Sequence, residues 1–153
     1  MTTPLDYNQT PDLTAIGQRA PVPAQTFNAR VLVVEDDEDM RVMLKMMLEQ
    51  RGGVSVVEAE NGEMAVALAE NVHLDLILMD GTLPLLDGFE ATRRIRELAF
   101  ACDVPIVFLS GHALPAYEAK AFAAGCTDYL VKPFDFGEWD RVLERHLSQS
   151  KAH

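Results

Sequence analysis

Five polar side chains stand directly after apolar runs of this sequence. Glu35 and Asp36 follow one run, and Asp80, Ser110 and Lys132 each follow another. Two carboxylates held about 4 Å apart repel each other by roughly 1 kcal/mol in water and by about 4 kcal/mol at an effective dielectric constant of about 20. A hard divalent cation removes that repulsion, and Mg²⁺ prefers a few carboxylate oxygens with water completing its shell. The acidic residues are therefore candidate metal ligands.

The same residue types are those that phosphoryl transfer to an aspartate requires. A carboxylate beside a metal ion can act as a nucleophile toward a phosphoryl group. The metal ion and a lysine neutralise charge on the phosphoryl oxygens, and a hydroxyl donates a hydrogen bond to them. Asp80, Ser110 and Lys132 are the candidate groups for this chemistry.

From residue 30 onwards, short apolar runs alternate with segments of helical periodicity. Five apolar strands alternating with five helices predict an α/β fold, in which a doubly wound, five-stranded parallel sheet carries helices on both faces. The predicted strands are Val31–Val34, Val54–Val57, Leu76–Met79, Ile106–Leu109 and Tyr129–Val131. Ligands of such sheets bind beyond the carboxyl ends of the strands. Because four of these strands are followed by candidate groups, we expect the groups to meet at that edge.

Four segments resemble the receiver domain of two-component response regulators. They are Val-Leu-Val-Val-Glu-Asp-Asp at 31–37, Asp80 followed by Pro84 and Asp87-Gly88, Leu-Ser-Gly at 109–111, and Asp-Tyr-Leu-Val-Lys-Pro-Phe at 128–134. Each segment alone is common, but their joint occurrence in this order, each at a strand end, is highly specific. The resemblance covers residues 30–149 and implies a flavodoxin-like sheet of order 2-1-3-4-5, which is taken from the family and not from the residues.

The resemblance implies an Mg²⁺ site built around the phosphoacceptor. Asp80 would accept the phosphoryl group and contact the metal ion. Asp36 would bind the metal directly, Glu35 would help through water, and the backbone carbonyl of Thr82 would complete the metal shell.

The remaining implied roles concern the phosphoryl group and the switch. Ser110 would donate a hydrogen bond to the phosphoryl group, and Lys132 would pair with it. The Lys132-Pro133 bond is typically cis in this family. Tyr129 matches the aromatic residue that moves inward with the hydroxyl residue, coupling the site to the face of helix 4, strand 5 and helix 5. Ser110 and Gly111 stand where Thr and Ala are commoner, so the hydroxyl is kept and the loop after strand 4 is loosened.

In functional terms, the resemblance implies a phosphorelay signalling protein and not an enzyme with a separate substrate. It would accept a phosphoryl group from a sensor histidine kinase or a histidine phosphotransfer protein. Its switched face would then bind a downstream partner protein, and the domain would hydrolyse its own acyl phosphate. We expect a cytoplasmic protein that acts through a partner, because no effector domain follows the last helix.

Simpler interpretations exist for each residue alone. The run 35–39 could be a solvated helix start, Asp80 or Ser110 a cap, Lys132 a surface charge, and Tyr129 part of the core. Asp87-Gly88 is interpreted as the turn into helix 3, outside the site.

Two alternative functions remain open at this point. A degenerate receiver would bind partners without phosphorylation, although such proteins usually lack the acceptor or a metal ligand. A haloacid-dehalogenase-like phosphatase would share the Asp-Gly-Thr at 80–82, but it needs its nucleophilic aspartate at position 78, which is Leu.

Composition narrows the class of partner. The net charge of −11 disfavours direct binding of nucleic acid or of an anionic membrane surface. Cys102 and Cys126 fit neither a disulfide framework nor a zinc site, and no signal peptide or membrane span is visible. The proline-containing residues 1–29 are predicted to form a flexible tail, followed by a receiver domain at 30–149 and a short tail at 150–153.

Overall fold

One parallel sheet of five strands carries the site. The computed structural model describes residues 28–99, 101 and 103–151, with side chains described as far as residue 147. The strands are β1 (Ala29–Val34), β2 (Val54–Ala59), β3 (Leu76–Asp80), β4 (Ile106–Ser110) and β5 (Asp128–Val131). The helices are α1 (Glu38–Glu49), α2 (Gly62–Asn71), α3 (Gly88–Arg96), α4 (Pro115–Ala124) and α5 (Phe136–Lys151). The strand order is β2-β1-β3-β4-β5, which confirms the order that the resemblance implied.

Two apolar layers cover the sheet, because successive strand side chains point to opposite faces. Leu32 belongs to the cluster that includes Ile95 of α3 together with residues of α2 and α4. Val33 belongs to the other cluster, with Leu44 of α1 and Trp139 of α5. The predicted doubly wound fold is therefore confirmed, with three helices on one face and two on the other.

The strand bounds differ from the predicted ones by one or two residues. β1 begins at Ala29, which the sequence had placed in the N-terminal tail, because the Ala29 amide donates to the Gly53 carbonyl at 2.8 Å. Asp80 and Ser110 are the last residues of β3 and β4 and do not follow them, since sheet pairing continues through both. α5 runs to Lys151, past the predicted boundary at residue 149. Residues 1–27, most of the predicted tail, lie outside the described residues.

Acidic caps start the helices that follow β1, β3 and β5. The Asp37 carboxylate accepts from the amides of the first turn of α1, and the Asp87 carboxylate accepts from the amide of Glu90 at 2.9 Å. Asp135 and Glu138 cap α5 reciprocally, each carboxylate accepting from the amide of the other. These caps fix the loops at the carboxyl edge of the sheet. Among the described residues, no helix is long and apolar enough to cross a membrane.

Candidate functional site

Three carboxylates meet at the carboxyl edge of the sheet. Glu35 and Asp36 follow β1, and Asp80 ends β3, the strand that pairs with β1. One oxygen of each lies within 4.8 Å of the others. Glu35 is 3% exposed and Asp80 is 6% exposed, whereas Asp36 faces solvent. The structure thus brings together the three side chains that the sequence singled out as metal ligands.

Lys132 brings a positive charge to this cluster. Its Nζ lies 3.5 Å from Glu35 Oε1 and 3.8 Å from Asp80 Oδ1. The lysine follows β5, and the Lys132-Pro133 peptide is cis, as the resemblance implied. The carboxylates still outnumber this cation, so the cluster retains an excess of negative charge.

The electrostatic cost of the cluster is visible at Glu35. Burial of the side chain, followed by the charge of Asp80, raises the pKa of Glu35 to about 7, against an ordinary value of 4.5. The amide of Asp37, which donates to Glu35 Oε2 at 3.2 Å, and the charge of Lys132 act in the opposite direction. Between about pH 4.5 and about pH 7, the metal-free folded chain therefore keeps at Glu35 a proton that a free glutamate loses.

The donor set fits a hard divalent cation. Glu35 Oε1 is buried and has no hydrogen-bond partner, although Lys132 lies at ion-pair distance. An orphaned carboxylate oxygen beside two further carboxylates is the arrangement in which a bound Mg²⁺ would satisfy a ligand atom and remove repulsion.

The loop after β3 folds back over Asp80. The Thr82 amide donates to Asp80 Oδ1 at 3.2 Å, while the Thr82 side chain is exposed. Gly88 packs on the same backbone, and a Cβ there would lie 2.4 Å from the Asp80 carbonyl oxygen. Asp87-Gly88 forms the turn into α3, as interpreted from the sequence, and Asp87 caps that helix. Gly88 also supports the site through this close approach, which that interpretation had left out. A glycine directly after Asp87 was the sequence signal that could have indicated this close approach of two backbone segments.

Ser110 and Tyr129 are joined through His112. Ser110 Oγ accepts from the His112 amide at 3.0 Å, and the Tyr129 hydroxyl donates to the His112 carbonyl at 2.8 Å. The His112 ring stacks on Tyr117 of α4, with ring centroids 4.0 Å apart. The two predicted switch residues therefore share a link that runs through a third residue and reaches α4.

Comparison with known proteins decides the family. A family model described as the response regulator receiver domain matches residues 31–144. The chain belongs to the response-regulator receiver family. The match favours the receiver over the dehalogenase-like alternative, and Leu78, which stands where that phosphatase needs an aspartate, is buried in β3.

Individual relatives show the extent of this receiver. It is 46% identical over 107 residues to the two-component response regulator ORR41 of Oryza sativa subsp. japonica, covering 68% of this chain and 83% of that protein. It is 41% identical over 110 residues to the transcriptional regulatory protein ResD of Bacillus subtilis, covering 72% of this chain but only 44% of ResD. The chain thus spans less than half of some relatives and most of others.

A solved receiver structure is also similar. The receiver domain of the sensor histidine kinase PA1611 from Pseudomonas aeruginosa has a TM-score of 0.73 and 38% identity, covering 78% of this chain and 98% of that one. That structure has a magnesium ion coordinated in its active site cleft. The family places this chain in two-component signalling as a signalling domain, and receiver domains interact with histidine kinases and downstream effectors.

The acidic run of this receiver divides between two tasks. Glu35 and Asp36 join the carboxylate cluster, whereas Asp37 caps α1, so the helix-start interpretation holds for Asp37. Arg41, which the sequence analysis did not single out, donates from Nη1 to the Glu35 carbonyl at 2.9 Å. The signal available in the sequence was a basic residue at position 41, one helical turn after the acidic Asp37.

Proposed function

We propose that this receiver accepts a phosphoryl group on Asp80, in an Mg²⁺-dependent reaction, from a sensor histidine kinase or a histidine phosphotransfer protein. The observation that carries the proposal is the convergence of Glu35, Asp36 and Asp80 within 4.8 Å, with Lys132 beside Asp80. When bound, Mg²⁺ would neutralise this cluster and the incoming phosphoryl oxygens. Glu35, Asp36, Asp80 and the carbonyl of Thr82 would hold it.

The residues of the chain divide the transfer step among them. A carboxylate oxygen of Asp80 attacks the phosphorus, and the bond between phosphorus and the donor imidazole nitrogen breaks with its electron pair leaving on that nitrogen. Lys132 neutralises charge on the phosphoryl oxygens, and Ser110 Oγ donates a hydrogen bond to one of them. The domain later hydrolyses the acyl phosphate by attack of water on phosphorus, which releases inorganic phosphate and restores the Asp80 carboxylate.

The hydrogen bonds around His112 support a switch. Ser110 Oγ accepts from the His112 amide, so a move of the hydroxyl toward a phosphoryl group breaks that bond. Tyr129 donates to the carbonyl of the same residue and would be released with it. Phosphorylation would shift the domain toward a state in which the α4–β5–α5 face is altered for a partner protein. Two exposed apolar side chains, Leu114 and Phe122, are available on α4 and its cap for such a contact.

Intact-mass measurement tests the proposal. The chain is incubated with acetyl phosphate or phosphoramidate, with Mg²⁺ and with a chelator, and a gain of about 80 Da reports an aspartyl phosphate. We expect the adduct only with Mg²⁺ and not in Asp80→Asn. The matched control is Asp87→Asn, which changes an exposed carboxylate at the same edge and keeps a capping side chain at α3.

Two results would contradict the proposal. An adduct that persists in Asp80→Asn places the phosphoryl group elsewhere. A wild-type chain that binds neither Mg²⁺ nor beryllofluoride is a receiver that binds its partners without phosphorylation.

A further inference from the structure

The Arg41 side chain connects three elements beside the site. From α1, its Nη1 donates to the Glu35 carbonyl at 2.9 Å, and its Nε donates to Glu58 Oε1 on β2 at 3.1 Å. The side chain is 15% exposed. The planar guanidinium presents its donors in a fixed fork, so one contact on β2 fixes the direction of the other contact.

The carbonyl that Arg41 holds belongs to the peptide that joins Glu35 and Asp36, two members of the carboxylate cluster. The Glu35 amide donates to the Ala59 carbonyl of β2 at 3.0 Å, so the other backbone group of Glu35 is held as well. A peptide unit is planar, and the Glu35 carbonyl therefore lies in one plane with the nitrogen and Cα of Asp36. Fixing this oxygen therefore fixes the direction of the backbone at Asp36. The backbone positions from which the Glu35 and Asp36 side chains start are then fixed relative to each other.

Lys45 provides a control that separates the geometric effect of Arg41 from the effect of its charge. It lies one turn after Arg41 on α1, and its Nζ is 3.3 Å from the other Glu58 oxygen. Both residues carry a positive charge and contact Glu58. The described contacts of Lys45 do not reach the Glu35 backbone, so the two residues differ in the contact that orients the turn.

We propose that Arg41 is a positioning residue of the metal site, which orients the Glu35–Asp36 peptide so that both carboxylates face one ion together with Asp80. The inference rests on the proposed function, because it presupposes that the cluster binds Mg²⁺. Mg²⁺ demands near-ideal octahedral geometry, whereas Ca²⁺ tolerates a flexible shell. A loss of positioning therefore weakens Mg²⁺ binding more than Ca²⁺ binding, whereas the loss of a positive charge alone removes repulsion toward a cation and strengthens the binding of both ions.

Titration calorimetry at fixed ionic strength tests this inference in the full chain. For Arg41→Met we expect the Kd for Mg²⁺ to rise roughly tenfold, the scale found for residues that orient metal ligands, and the Kd for Ca²⁺ to rise less. Lys45→Met, the matched control, should change both constants by less than about twofold. Arg41→Lys keeps the charge and one donor nitrogen without the planar fork, and it should recover part of the Mg²⁺ affinity. It also serves as the test variant if Arg41→Met does not fold, with a predicted Kd above wild type and a lowered preference for Mg²⁺ over Ca²⁺.

The outcomes distinguish this inference from the proposed function. An equal change in Kd in Arg41→Met and Lys45→Met, or an equal change for the two ions, overturns the positioning role. A lower Kd for both ions would report the charge effect alone. Unchanged Mg²⁺ affinity in a folded Arg41→Met or Arg41→Lys variant also overturns it. A wild-type chain that does not bind Mg²⁺ overturns the proposed function itself, and the inference with it.

Discussion

At the carboxyl edge of the sheet, Glu35 and Asp80 are buried beside Asp36, with Lys132 as a nearby cation. At the amino edge, the half-buried Arg96 donates to the Val104 carbonyl at 2.6 Å, the Gly125 carbonyl at 2.8 Å and Thr127 Oγ1 at 3.2 Å. The first region concentrates like charge, whereas the second pairs a cation with acceptors.

His146 extends the same contrast at the amino edge. It is 4% exposed, and its Nε2 lies 3.2 Å from Asp128 Oδ2 at the start of β5. Arg145 contacts the same carboxylate oxygen. Removing one partner of a buried polar contact leaves the other unsatisfied and destabilises a fold, whereas like charges held together cost stability until a ligand neutralises them. We therefore expect substitutions at the two edges to change stability in opposite directions.

The largest effect is expected from Arg96→Met at the amino edge. The substitution leaves the carbonyls of Val104 and Gly125 and the Thr127 hydroxyl without the donor that Arg96 supplies. Methionine keeps the Cγ that packs against Gly125, where a Cβ would lie 2.7 Å from Arg96 Cγ, so the loss comes from the polar contacts of the guanidinium. We predict a fall in the free energy of unfolding of about 3 kcal/mol, measured by urea denaturation. Arg93→Met on the same helix is the control, because its ion pair with Glu90 is exposed and contributes less than about 1 kcal/mol. An equal loss of unfolding free energy in Arg96→Met and Arg93→Met would contradict the stabilising role of the Arg96 contacts.

In the absence of metal, Glu35→Gln is expected to raise the free energy of unfolding, by less than Arg96→Met lowers it. Because the pKa of Glu35 is raised to about 7 in the folded chain, the folded state binds more protons than the unfolded state from about pH 4.5 to about pH 7. The free energy of unfolding contributed by this group therefore falls as the pH rises through that window. The glutamine stays neutral and lacks this fall.

We predict that Glu35→Gln and wild type are similarly stable near about pH 5, and that the variant is more stable by about 2 kcal/mol near about pH 8. Urea denaturation of both chains across this range, with a chelator present, measures the difference. A difference that does not change with pH would mean that Glu35 is not the titrating group. Asp80→Asn sharpens the comparison, because removing the second cause of the raised pKa should flatten the pH dependence as well.

The strand ends made much of the acidic edge predictable. Apolar runs of strand length gave the sheet, and the rule that ligands bind at carboxyl ends placed Glu35, Asp36, Asp80, Ser110 and Lys132 at one edge. The strand order itself came from the family resemblance. These inferences succeed because backbone topology alone fixes which residues share an edge.

Contacts that depend on side-chain direction were not predictable. Arg96 reaches Gly125, which is 29 residues away, and Arg41 reaches back to the Glu35 carbonyl. His146, which no motif of the sequence singles out, is buried against Asp128. Sequence periodicity indicates the face on which a long side chain starts, but the acceptor at its end is chosen by three-dimensional packing.

The central claim is that the carboxyl edge holds a cluster of like charges that a bound cation would stabilise. The most direct test compares the free energies of unfolding of wild type and Glu35→Gln near about pH 8, with and without Mg²⁺. Without the ion, the variant should be the more stable chain. A ligand that binds the folded state stabilises it by RT ln(1 + [L]/Kd), so Mg²⁺ should stabilise wild type more than the variant and reduce or reverse the difference. A wild-type chain that is already the more stable without Mg²⁺, or equal stabilisation of both chains by the ion, would contradict the account.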